Sequence, residues 1–396
     1  MTRALVIQLA RLGDLLQTIP VIVSIKDRHA DLVLDLLCPA PFVAIARMIP
    51  GIRTVLGWDG ATWRQQVESA ETNFGAAHVA EADRHLRTVT CETYDRAYVL
   101  NQHPRALLAG GLLAREIVGA RFHVLDDRLT PWAAYLRQMA RTGHSHRVHL
   151  SDAFCGLCSV HPPGRACRIP VPDISLSSDL RKVGNDEGTW VGLLVGAGDA
   201  ERLVPLSVWR DWIAGFLHVV PHGRVVLIGN KGEQQRAQEL RELLPSSTLN
   251  RTLDLTGRTS LPELASALSR CHLVIGSDTG PLHLAAAVGT KVIGWYFSRA
   301  SVHETGPYGP GHVIWQAVRA ESNPAFPPSP VAPSRWPVEE TLAYLTTSSY
   351  EGRPGWSAWR SHCDRWGAYY TEIGQETGPP QERERTWQLL HPVDVG

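Results

Sequence analysis

Apolar runs of strand length alternate with longer amphipathic segments along this chain, and the alternation begins twice. An apolar run with no polar alternation suits a strand buried on both faces, and a parallel sheet of such strands needs helices to cover it. In the first half RALVIQL, LVLDLLC, RTVLGW and YDRAYVLN are the strand candidates. A helix through Leu15, Leu16, Ile19, Ile22 and Ile25, then PFVAIARMI and RALLAGGLLAREIVG, are the helical ones. From Thr130 to Pro172 the pattern turns helical and then irregular, with His, Pro and Gly gathered in HPPGRACRIPVPD, the best linker candidate. Strand and helix then alternate again from WVGLLVG through RVVLIG, CHLVIGS and KVIGWYF, closing with the helical PVEETLAYL. The expectation is two doubly wound α/β domains, 1–172 and 173–345, followed by a Trp- and Arg-rich extension over 346–396 with no assignable role.

Composition excludes several functions. Lys plus Arg and Asp plus Glu both number 39, so no global field holds a nucleic acid, and an anionic partner must be met locally. The N-terminal apolar run is shorter than a signal peptide's, and no stretch approaches the roughly 18 apolar residues of a membrane span. A cytoplasmic location is expected, with peripheral contact at the inner membrane face left open. The seven cysteines are mostly scattered, as reduced thiols would be. Cys155, Cys158 and Cys167, with His161, make only half a zinc motif because a second close pair is missing, and ordinary buried thiols are the favoured reading.

Two facing α/β domains leave a cleft, and ligands of such sheets sit beyond the carboxyl ends of the strands. The strongest local signal there is VIGSDTGPLHLAAAVG, an apolar strand ending at Ser277 and a helix beginning near Pro281. Free N–H groups and the positive end of the helix dipole stabilise a pyrophosphate at such a position. Gly280 permits close approach, Thr279 offers a hydroxyl, and His283 lies one turn in. Asp278 would repel phosphate, so it orients the loop or meets a sugar hydroxyl. An unliganded capped helix explains this segment alone equally well. A dinucleotide site is the obvious rival, but neither LARLGD nor GAGDAE completes the three-glycine pattern.

In order along the chain, RLGDLLQTIP, YDRAYVL, GNKGEQQRA, DLTGRTSL and SDTGPLHLAAAVGTKVIGWYF resemble the successive motifs of glycosyltransferase family 9, the heptosyltransferases, over roughly residues 3 to 345. The resemblance implies a GT-B fold, a nucleotide-sugar donor on the C-terminal domain, an acceptor on the N-terminal one, and inverting, metal-independent transfer with no cofactor. It implies ADP-heptose as donor and a cell-surface glycan such as the lipopolysaccharide inner core as acceptor. A related transferase acting on a protein or small metabolite is the alternative within the class; a non-catalytic nucleotide-sugar binder is the alternative outside it. Carried over by residue, Asp14 is the general base, with helix N-cap as its bland alternative. Gly13, Thr279, Gly280 and His283 hold the donor, Asp278 stands near the sugar, and Glu233 meets the ribose hydroxyls. Where relatives have a lysine before a Trp-Pro pair, this chain reads AERLVP, which puts Arg202 at the cation position. His303 and His312 of the later Gly- and Pro-rich loop are candidates to touch phosphate, with solvated loop histidines the favoured reading.

Overall fold

In the computed structural model, residues 2–59, 75–120, 129–142, 146–171, 177–184, 188–318, 335–348, 352–375 and 378–391 are described. The first sheet has strands β1 (Arg3–Ile7), β2 (Val33–Pro39), β3 (Ile52–Trp58), β4 (Tyr94–Val99) and β5 (Ala114–Gly119), in the order β3-β2-β1-β4-β5 and all parallel. The second sheet contains β6 (Thr189–Leu194), β7 (Gly223–Ile228), β8 (Thr252–Asp254), β9 (Leu273–Ser277), β10 (Lys291–Tyr296) and β11 (Val313–Ala317). Its order β11-β10-β9-β6-β7-β8 is again parallel and doubly wound. The middle strands β1 and β9 are buried along nearly their whole length, as their apolar composition requires.

Three readings need correction. The segment 105–119 is not one helix: the helix Pro104–Leu113 stops and β5 runs parallel to β4. Arg115 and Glu116 mimic a solvated helix face in sequence, but β5 is an edge strand, and Glu116 sits in register with Arg96 and pairs with it at 2.8 Å. The helix through Leu15 to Ile25 is two, Leu12–Leu16 and Ile19–Arg28; Pro20, which has no N–H, lies in the first turn of the second. The region after 346 is woven into the fold. Strands β12 (Trp356–Asp364) and β13 (Gly367–Glu372) extend the second sheet antiparallel beyond β11, and the helix Gln381–Leu390 crosses back to the first domain. There Trp387, fully buried, packs against Trp132 with ring centroids 4.5 Å apart.

One apolar cluster runs from the underside of the first sheet through Leu15 and Leu16 to Leu282 and Leu284 of the helix Gly280–Ala287 in the second domain. The chain between the sheets is pinned to the end of that helix, since Ile169 N–H donates to Ala287 O at 2.9 Å. The two sheets are therefore held with the loops after β1 and β9 in contact.

Candidate active site between the two sheets

In each sheet the winding direction reverses between the strand that comes first in sequence and its later neighbour, β1 with β4 and β6 with β9. Crossovers leave to opposite sides at that point, so a crevice opens at the carboxyl ends. The loops that fill the two crevices are Gln8–Asp14 and Leu100–His103 in the first domain, and 195–205 and 277–280 in the second. They face one another. The helices Leu12–Leu16 and Gly280–Ala287 approach through their first turns, with a glycine on each side of the contact. A Cβ on Gly13 would lie 3.2 Å from His283 Cδ2, and one on Gly280 would lie 3.1 Å from Leu12 Cβ. A Cβ at either position would require its neighbour across the contact to give by a few tenths of an ångström.

Asp14 is the third residue of its helix, not the N-cap; that place belongs to Arg11, whose N–H donates to Asp14 Oδ2 at 3.2 Å. Burial raises the Asp14 pKa above its ordinary value, opposed by the Arg11 N–H, His283 and Arg11, while Asp278 adds to the rise. His283 is buried beneath it, with Nε2 3.5 Å from Gln17 Nε2 and 3.6 Å from Asp278 Oδ1. Thr279 is the N-cap of the second helix, but its hydroxyl donates to Ser277 O at 3.3 Å, so the donor expected of it faces its own strand. Arg202 lies beside this group: Nη1 donates to Asp278 O at 2.9 Å and approaches Asp278 Oδ2 at 3.3 Å, while Nη2 pairs with Asp199. Asp199 also reaches across the cleft to Arg11 Nη1 at 3.5 Å.

Gly13, Asp14, Arg202, Asp278, Thr279, Gly280 and His283 are thus brought together by one loop of the first domain and two of the second. Glu233 stands apart from them, in the turn after β7. Its Oε2 accepts from Asn230 N–H at 2.7 Å, and a Cβ on Gly196 would fall 2.0 Å from its Oε1, so the carboxylate rests on the bare backbone at the end of β6. Burial raises its pKa as well. A cavity of about 890 Å³ opens next to Asp278 and Arg202, with Arg11 and Arg141 on one wall and Glu201 and Arg299 on the other. Sequence reasoning missed Asp199, Glu201 and Arg299. The first two sit in the same GAGDAER loop as Arg202 and were visible there, but nothing in the sequence places Arg299, which follows β10, beside them.

The remaining candidates are structural. His303 is buried edge-on against Trp359 at 4.6 Å, and His312 is buried with its pKa pushed down to about 4 by desolvation. Cys155, Cys158 and Cys167 are buried, with their thiol pKa values raised by burial, that of Cys167 to about 12. His161 stacks on Trp387 at 5.5 Å. Among the described residues no three His, Cys, Asp or Glu side chains are grouped to hold a metal ion, and no helix is long and apolar enough to cross a membrane.

Residues 190–327, which hold Arg202, Glu233 and the 277–283 segment, match the family model of glycosyltransferase family 9 (heptosyltransferase). The match covers 138 of the chain's 396 residues. Among curated relatives, lipooligosaccharide heptosyltransferase 2 of Haemophilus influenzae is 32% identical over 72 residues, 18% of this chain and 21% of the relative, so the match spans about a fifth of that protein's length. Among solved structures, a family 9 glycosyl transferase from Veillonella parvula aligns with a TM-score of 0.57 at 17% identity, over 78% of this chain and 83% of that one. The E. coli ADP-heptose lps heptosyltransferase II aligns at 0.56 and 17%, over 87% and 97%. These likenesses establish the fold, which is GT-B in architecture. Gly13 and Asp14 lie outside the matched family 9 segment and reach it through tertiary contact alone.

Proposed function

We propose that this protein is an inverting, metal-independent glycosyltransferase that moves a sugar from a nucleotide diphosphate donor, with ADP-heptose the favoured donor, to a cell-surface glycan of the lipopolysaccharide inner-core type. The donor would sit on the domain of residues 173–345 and the acceptor on that of residues 1–172. The supporting observation is that the Asp14 helix of one domain meets the N-terminus of the Gly280–Ala287 helix of the other at the switch points of both sheets. A carboxylate and an anion-binding helix end are the two poles a single displacement needs.

Asp14 accepts the acceptor hydroxyl's proton as that oxygen attacks the anomeric carbon from the face opposite the leaving group. The raised pKa makes Asp14 a stronger base than an ordinary carboxylate. Charge building on the departing diphosphate is met by the N–H groups and dipole of the Gly280–Ala287 helix, with Gly280 allowing close approach and Arg202 beside it. Glu233, lying over Gly196, has an Oε1 available to accept from ribose hydroxyls. His283 and Asp278 fix the loop and face the sugar. The related proteins support the donor assignment, because solved relatives include E. coli WaaC with ADP and with a fluorinated ADP-heptose.

A panel of nucleotide sugars tests the reading by thermal shift in buffer containing EDTA. A ligand at a hundred times its Kd stabilises the native state by about 2.7 kcal/mol. ADP-heptose should raise the midpoint above every UDP- and GDP-sugar, and transfer to a lipopolysaccharide acceptor should persist in EDTA with inverted product stereochemistry. No shift with any nucleotide sugar, or activity abolished by EDTA and restored by magnesium, refutes it.

A further inference from the structure

The cavity beside the donor site is balanced in charge, and the balance decides which cation a diphosphate can claim. Arg11, Arg141, Arg202 and Arg299 face it, as do Asp199, Glu201, Asp278 and Glu304. Arg202 is the most committed of the cations. Its guanidinium bonds the Asp278 carbonyl and carboxylate and the Asp199 carboxylate, and its side chain is only 17% exposed. Freeing it for phosphate would strand two carboxylates against the incoming anion, a loss that the new contact must first offset. Arg299 is held differently. Its one ion pair among the described residues, to Glu201, is long at 3.7 Å, with side chains 66% and 48% exposed. An exposed pair of this kind contributes almost nothing to stability, so a diphosphate displaces Glu201 at negligible cost.

Position agrees with cost. β10 runs parallel to β9 with Trp295 opposite Ser277, so the loop Ser298–Ala300 emerges beside Asp278–Gly280 and lines the same cavity. The Arg299 N–H donates to Ser298 Oγ at 2.6 Å, which ties the backbone of that loop while the side chain stays exposed.

We infer that Arg299 is the exchangeable cation of the donor site, leaving Glu201 to pair with the diphosphate of the nucleotide, while Arg202 stays with Asp199 and Asp278 and holds the loop from below. This rests on the donor reading above and assigns the phosphate contact within it. Arg202 is then a positioning residue that acts on the diphosphate mainly through the field and the loop it maintains. Glu201 is the counter-ion that occupies Arg299 until the donor arrives.

Calorimetric binding of ADP and adenosine to the full chain, at low and high salt, tests the assignment. In the wild type, ADP should bind more tightly than adenosine, with a salt-dependent margin. Arg299→Ala should weaken ADP about tenfold to a hundredfold, the range of a lost hydrogen bond to a charged group, and leave adenosine unchanged. Arg299→Lys should recover part of the loss, because charge returns without the two-pronged geometry. Glu201→Gln should tighten ADP, since the competing carboxylate is gone. Unaltered ADP affinity in Arg299→Ala, or a larger loss of ADP binding in Arg11→Ala than in Arg299→Ala, overturns the assignment while the donor reading stands. Failure of the wild type to bind ADP at all overturns both.

Discussion

Asp152 offers the most quantitative test of how the domains are joined. It lies in the helix Leu150–Leu157 of the first domain with no solvent exposure, yet its Oδ1 accepts from Tyr308 Oη at 2.9 Å and its Oδ2 from Ala368 N–H at 2.8 Å, both contributed by the second sheet's side. Burial raises its pKa from an ordinary 3.8 to about 7, against the lowering effect of those two hydrogen bonds and of Arg383, with Asp364 adding to the rise. The folded state therefore holds this proton more tightly than the unfolded chain. Stability from the group is fully present below about pH 4 and is lost as pH rises towards 7. A shift from 3.8 to about 7 corresponds to about 4 kcal/mol over the whole range, of which about 3 kcal/mol falls between pH 5 and pH 8.

Asp152→Asn removes the titration and keeps the shape. The amide oxygen can accept from Ala368 N–H and the amide N–H₂ can donate to the Tyr308 oxygen, so both joints survive. Urea denaturation of wild type and variant at pH 5 and pH 8 gives a double difference in which every other titrating group cancels. The wild type should lose about 3 kcal/mol more than the variant between the two pH values, and the variant should be the more stable protein at pH 8. Parallel pH dependence within about 0.5 kcal/mol, well inside the error a typical extrapolation allows, would show that Asp152 is ionised when folded and that the burial argument is wrong.

Three further outcomes concern the cleft and the domain joint. Asp14→Asn should leave ADP binding nearly unchanged and reduce transfer by about two to four orders of magnitude, as loss of a general base does. In the wild type, transfer should fall as pH drops through a value above 3.8, since burial raises the Asp14 pKa, and steady-state kinetics between pH 4 and pH 8 measure both effects. Gly367→Ala should destabilise by more than about 2 kcal/mol in thermal or urea unfolding: at φ +101° the backbone favours glycine, and the added Cβ would lie 2.1 Å from Asp152 Cγ, where neither partner can give.

The doubly wound class was legible because apolar strand runs and amphipathic helices differ in period, and that local contrast survives without any tertiary information. RLGD and DTGPLH were legible for the same kind of reason, each being a strand end, a turn and a helix start within a few residues. Edge elements were not. In β5 the exposed polar residues Arg115 and Glu116 stand side by side, and in β12 and β13 buried and half-buried residues are mixed, so Arg115–Glu116 reads as helix surface and the Trp356–Glu372 segment reads as a featureless tail until β4 and β11 supply the hydrogen bonds. The sequence alone also named the members of the candidate site, Asp14 in one half and Asp278 to His283 in the other. Only the tertiary structure decided their relations: that Gly13 rests on His283, that Thr279 turns its hydroxyl to its own strand, and that Arg202 is already occupied by Asp199 and Asp278 while Arg299 is held by one exposed pair. Which charge is spent and which is exchangeable depends on distance and burial between segments about a hundred residues apart, and no local pattern encodes either.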